Sequence, residues 1–254
     1  MAAPNASLAP LRFPDGSASY TSPTGDQILG SVNGPMEVGR RDTQKPEEAT
    51  IEVLVKPGVG SSGVGERYVE GILRGILSRV ILVREKSMPR RGIVVTLVVL
   101  KNKGADGKVA ERGGSCLPIL PSLLHTALLA LLSAAIPLSM TYTAALVAVS
   151  SAGELIPNPS TQDAKAAASL HVLAFSSKGH LLLDESEGAF DIDTWDKVYN
   201  LAESICRGGP ALEAGKDGDV EMGGIKAGHN LEQFVRDTVE DKLREDLAWK
   251  IATT

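Results

Sequence analysis

Six residues, Gly58-Val59-Gly60-Ser61-Ser62-Gly63, spell the pattern G-x-G-x-x-G. They follow an apolar run at Ile51–Val55 and precede a helical one, the order in which a dinucleotide fold brings backbone N–H groups to a pyrophosphate. Glu85 then stands where a ribose-binding acid belongs, provided Val80–Val83 is a second strand. Three features oppose that reading. Lys56 and Pro57 lengthen a turn that should be tight, the helical period runs unbroken through Val80, and the segments upstream look like an antiparallel meander. A Gly/Ser loop ahead of a helix is the favoured reading. A Rossmann-like nucleotide-cofactor oxidoreductase using Gly58, Gly60 and Gly63 stays as the alternative.

The other reactive side chains are scattered. Arg67, Arg74, Arg79, Arg84, Lys86, Arg90 and Arg91 fall on one helix and the loop leaving it. Such arginines pair with phosphates bidentately and would give RNA a sequence-independent hold, with Arg67, Arg74, Arg90 and Arg91 the candidate contacts; a solvated helix face explains them equally well. The scarcity of aromatics argues against a base-stacking platform. Asp184, Glu185, Glu187, Asp191 and Asp193 lack calcium-loop spacing and read as an exposed acidic connection. The four histidines show no ligand spacing, Cys116 and Cys206 stand alone, and neither a metal site nor a cofactor is expected.

The elements that must position these residues follow from hydropathy. Strands are predicted at Ala18–Tyr20, Gln27–Val38, Ile51–Val55, Gly92–Leu100, Met140–Val149, Ser169–Phe175 and Leu181–Ser186. Helices are predicted over Glu66–Leu82, Ser122–Ala135, from an N-cap at Thr194 through Cys206, and over Asn230–Ile251. The last carries Leu231, Val235, Val239, Leu243 and Leu247 at i+4 steps, and reads either as packed on its own domain, which is favoured, or as a partner-binding helix. The expected organisation is a disordered lead-in at 1–10, an α+β domain at 11–208, a Gly-rich flexible insertion at 209–229 and a charged C-terminal helix at 230–254.

Composition bounds the class. The chain has 254 residues, a net charge of −5 and 43% hydrophobic residues, enough for a sizeable core and too apolar for a disordered protein. The charge is uneven: residues 1–116 sum to +4 and residues 117–254 to −9. From Gly113 to Gly153 there is no charged residue, but prolines, serines and His125 interrupt the run, so a buried helix and strand are expected rather than a membrane span. Residues 1–10 have no basic stretch before an apolar one, so no secretory signal is expected. Two cysteines cannot build a disulfide framework, which favours a reducing compartment.

Longer motifs carry a resemblance. Asp15-Gly16-Ser17-Ala18 precedes a strand, and Gly25-Asp26-Gln27-Ile28-Leu29 leads into Val32-Asn33-Gly34-Pro35. Arg112-Gly113-Gly114-Ser115 precedes the long apolar helix, and Leu155-Ile156-Pro157-Asn158-Pro159 precedes a strand. With these residues the chain resembles the RNase PH family from Leu11 to about Gly208, and within it the non-catalytic ring subunits of the eukaryotic RNA exosome. The resemblance implies mixed sheets with packed helices in a single domain extended by the C-terminal helix. Active members cut RNA from its 3′ end with inorganic phosphate, held by an arginine in a G-G-T-R run. Here Cys116 stands in that place, Gly71 in the place of a helix arginine and Ser169 in the place of one of two aspartates; Asp163 matches the other. The resemblance therefore implies a scaffold that has lost phosphorolysis. It also implies RNase PH-like neighbours in a hexameric ring, RNA-binding cap subunits, a separate catalytic nuclease, RNA as a contact and no membrane. Nucleus, nucleolus and cytoplasm are the implied locations, and RNA degradation and ribosomal RNA processing the implied work.

Overall fold

The structure, a computed structural model, describes residues 3–38, 45–105, 107–111, 114–208 and 230–251. Arg112, Gly113 and the insertion at 209–229 lie outside them.

Two sheets enclose one buried helix. Strands β1 (Asn5–Leu8), β2 (Gly16–Thr21), β3 (Gln27–Glu37), β4 (Thr50–Pro57) and β5 (Arg91–Lys101) form the first, in the order β1-β2-β3-β5-β4. Strands β6 (Tyr142–Val149), β7 (Leu155–Pro157), β8 (Ser169–Ser176) and β9 (Leu181–Gly188) form the second, in the order β7-β6-β8-β9. Helix α1 (Val64–Val80) crosses between β4 and β5, which pair in parallel, and every other strand pair is antiparallel.

Helix α2 (Leu120–Ser133) explains the charge-free run. It packs against β2 and β3 on one side and β6 on the other, so all of Leu120–Leu131 is buried. A helix covered on every face has no place for a charge. Its close approach also fixes Gly16, where a Cβ would stand 2.3 Å from the Ala134 nitrogen. Neighbouring Asp15 accepts the Gly34 N–H at 2.8 Å, so two of the motifs noted above are one structural joint. None of the described helices is long and apolar enough to cross a membrane.

The remaining helices cover the second sheet and its connections. Helix α3 (Thr161–Ala166) follows β7, and α4 (Ile192–Arg207) lies on β6 and β8 with Val198, Ala202 and Cys206 buried. Helix α5 (Leu231–Ile251) buries Leu231 and Val235, leaves Leu243 and Leu247 exposed, and contacts α4, β1 and β6. Its first turns thus follow the packed reading, whereas its distal turns carry their apolar row into solvent.

Two expectations need correction. Residues 5–8 are not part of a disordered lead-in: β1 extends the first sheet by pairing Asn5–Leu8 with Ala18–Thr21. Thr194 is not the N-cap of α4. Asp191 is, because its backbone is extended and its carbonyl already accepts from Thr194 and Trp195. Trp195 and Tyr199, in the first turns of this helix, are half-buried. The antiparallel meander expected upstream is present as β1–β2–β3, and the glycine motif follows it in a β-α-β crossover between β4 and β5.

Candidate functional site

The first turns of α1 gather carboxylates inward. Glu66, 6% exposed, accepts the Gly63 N–H at 2.8 Å on Oε2 and the Val109 N–H at 3.4 Å on Oε1. Glu70, 8% exposed, accepts the Val55 N–H at 2.9 Å and pairs with Arg67 at 3.4 Å. A helix N-terminus favours an anion because its N–H groups lack partners. In this protein the anion is Glu66. The place a pyrophosphate would take in a dinucleotide fold is filled by the chain's own side chain. Val80 closes α1, and β5 starts only at Arg91, so the strand that would present Glu85 to a ribose does not form.

Cys116 sits beside this helix end. A Cβ on Gly65 would lie 3.2 Å from its Sγ, which makes Gly65 the α1 position facing the thiol. Burial pushes the thiol above its usual range, and the nearby carboxylates of Glu66 and Glu187 push it the same way. Tyr68, 53% exposed, donates its hydroxyl to Glu185 at 3.0 Å. Burial, then the Glu185 hydrogen bond, and further the charges of Glu185, Cys116 and Glu187 raise the phenol as well. Among the described residues the cleft is a neutral thiol and a phenol with three carboxylates around them. An arriving phosphate dianion meets repulsion there.

The other residues implied by the resemblance make their contacts elsewhere. Asp163, exposed on α3, closes a capping box with Ser160: it accepts the Ser160 hydroxyl at 2.6 Å and N–H at 3.2 Å. Gly71 is on the open face of α1, with no atom within 4 Å of a Cβ placed there. It stands six residues, about 9 Å, along the axis from Gly65. Ser169 is buried and lies 2.9 Å from His171 Nε2; His171 Nδ1 lies 2.8 Å from Ser186, whose hydroxyl donates to Asp184 at 2.9 Å. Because Ser186 gives its one proton to Asp184, its oxygen accepts Nδ1–H, and Ser169 must donate to Nε2. The imidazole is neutral; burial lowers its pKa, against the opposing pull of Asp184. Phe190 meets this ring edge-on at 4.6 Å, and Trp195 Nε1 donates to the other Asp184 oxygen at 3.1 Å.

The basic residues do not form one patch. Arg67 and Arg74 lie a helical repeat apart on α1, while Arg90 and Arg91 precede and open β5, next to the start of β4 and away from the helix N-terminus. Arg84 pairs with Glu48 at 2.7 Å, and the Arg79 guanidinium donates to the Leu182 carbonyl. The roles of Glu66 and Tyr68 were absent from the sequence reading. A glutamate three residues after Gly63 is the capping-box spacing and could have signalled the first.

No family model matches the chain. It is 27% identical over 209 residues to the exosome complex component RRP46 of Saccharomyces cerevisiae, covering 80% of this chain and 89% of that one. The solved structure of rice (Oryza sativa) Rrp46 superposes with a TM-score of 0.67 at 24% identity, covering 79% of this chain and 87% of that one. The chain shares the RNase PH-like fold of this exosome subunit. The same fold is found in the Archaeoglobus fulgidus exosome with RNA bound to its active site, at a TM-score of 0.63 and 12% identity, over 79% and 84% of the two chains. RRP46, ribosomal RNA processing protein 46, is also the subunit to which the sequence motifs point. The glycine motif thus belongs to an RNase PH-like crossover helix.

Proposed function

We propose that this chain is a non-catalytic subunit of an exosome core ring, supporting 3′-to-5′ RNA processing and degradation by the assembly while performing no phosphorolysis itself. The observation that carries the reading is the cleft at Cys116. The residue aligned with the phosphate arginine is an uncharged thiol, flanked by Glu66 and Glu187 with the Tyr68–Glu185 pair beside them. Phosphorolysis needs preorganised positive charge where this cleft gathers negative charge, and losing one such donor typically costs about 3 kcal/mol of barrier. The names of the relatives and the shared fold support ring membership.

In this reading RNase PH-like neighbours flank the subunit, RNA-binding cap subunits sit on the ring, and a separate nuclease supplies cleavage. Arg67, Arg74, Arg90 and Arg91 are offered to RNA in two separate pairs. The nucleus, nucleolus and cytoplasm are the proposed sites of work. Affinity purification of the native chain with mass identification of its companions tests the assembly. RNase PH-like chains in near-equal amounts are expected, and their absence overturns the ring.

A further inference from the structure

A cavity of about 190 Å³ opens between the β2–β3 turn, the loop from Asn102 to Glu111, the entry to α2 and helix α3. Neither Cys116 nor Glu187 lines it, so it is distinct from the cleft above. Its volume falls below the roughly 300–1,000 Å³ of drug-sized ligand sites, which suits one ring rather than a whole cofactor.

Walls and floor differ in chemistry. Val109, Pro118, Leu146 and Leu170 make the walls apolar. The polar floor offers acceptors. Asp26, 7% exposed, receives the Ser22 and Thr24 hydroxyls on Oδ2 and the Lys103 N–H on Oδ1, which leaves Oδ1 room for a further donor. Asn102 donates its amide hydrogens to the Lys108 and Val109 carbonyls, so only its oxygen, which takes the Gly104 N–H, keeps spare capacity. Among the described residues the mouth carries Lys165, in an exposed pair with Glu111 at 3.1 Å, and the loop that supplies Asn102, Gly104 and Val109 to the lining also carries the exposed Lys103 and Lys108 near this rim. A cationic side chain would suit the floor but be opposed by the rim. A neutral ring with an exocyclic amino group, attached to a phosphate, suits both.

We infer that this cavity takes the base of one unpaired RNA nucleotide, cytosine or adenine, whose amino group stands at C4 or C6 where uracil and guanine carry a carbonyl oxygen, with the rim lysines on its phosphate. The inference rests on the RNA-associated reading above and adds a specific nucleotide site to it. Asp26 Oδ1 and Asn102 Oδ1 accept from the amino group. Uracil presents a carbonyl oxygen in the same position and is disfavoured.

Calorimetric titration of the full chain with 5′-CMP, 5′-AMP, 5′-UMP and a tetracytidylate RNA tests it. CMP and AMP are expected to bind at least tenfold more tightly than UMP, and the RNA at least as tightly as CMP. Ala164→Phe, which fills the cavity, should abolish binding. The surface change Lys103→Glu, which spares the fold, should weaken CMP several-fold and leave the nucleoside cytidine unchanged. No nucleotide binding, equal UMP binding, binding that survives a folded Ala164→Phe, exclusion of the RNA, or capture of an arginine-rich peptide in place of CMP would each overturn it. Because ring membership is read by co-purification, failure of this site and failure of the ring remain distinguishable.

Discussion

One strand, β9, serves two polar regions of opposite character. Asp184 and Ser186 point toward α4, where they close a chain running from Trp195 through Asp184, Ser186 and His171 to Ser169. Glu185 and Glu187 point the other way, toward Tyr68 and Cys116 on the α1 side. Alternation along a strand makes this division inevitable, since successive side chains face opposite sides of a sheet. The first region is a satisfied network in which each proton has one place to go. The second is a surface where, among the described residues, Glu66, Glu185 and Glu187 gather around an uncharged thiol and a phenol. Similar residue types therefore yield a brace on one face and an anion-repelling surface on the other.

The brace should be the costlier to break. His171→Ala removes two hydrogen bonds, the Phe190 contact and side-chain volume at a buried site, and should cost about 3 kcal/mol of unfolding free energy by urea titration. Glu66→Ala, on the cleft side, leaves the Gly63 and Val109 N–H groups without their acceptor and should cost about 1–2 kcal/mol. Tyr68→Phe removes an exposed hydrogen bond and should stay within about 0.5 kcal/mol. A larger loss at Tyr68 than at His171 would invert the comparison.

The two regions should also separate in pH, with smaller effects. His171 holds its folded pKa below the ordinary 6.5, so the unfolded chain binds more protons and stability falls as pH drops below that value. Cys116 holds its pKa above the ordinary 9.0, so the unfolded chain ionises first and stability falls as pH rises past it. His171→Asn should flatten the acid limb and Cys116→Ser the alkaline limb of stability measured against pH. His125, lowered to about 4 by burial while its Nε2 accepts the Ala144 N–H, adds to the acid limb in the wild type and both variants alike.

Much of the fold was legible because its signals are local. The i, i+3, i+4 period located α1, the apolar runs located seven strands, and the charge-free stretch marked α2 as interior. Strand β1 was missed because a four-residue edge strand has no strong period, and its evidence is its pairing with β2. Helix α3 was missed because six residues held by the Ser160–Asp163 cap leave little hydropathy to read. The site was harder. Cys116 stands out in the sequence only through the resemblance, and its carboxylate neighbours come from α1 and β9, elements far from it in sequence. The acidic group at 184–193 read as one exposed cluster, and only the sheet's pleat divides it.

The central claim concerns chemistry at Cys116, and phosphate-dependent release of nucleoside diphosphates from a single-stranded RNA by the purified chain tests it most directly. The expected result is release no faster than without protein, unchanged in Asp163→Asn and not restored by Cys116→Arg alone, because Glu66 and Glu187 remain. Release that depends on phosphate and is lost in Asp163→Asn would contradict it.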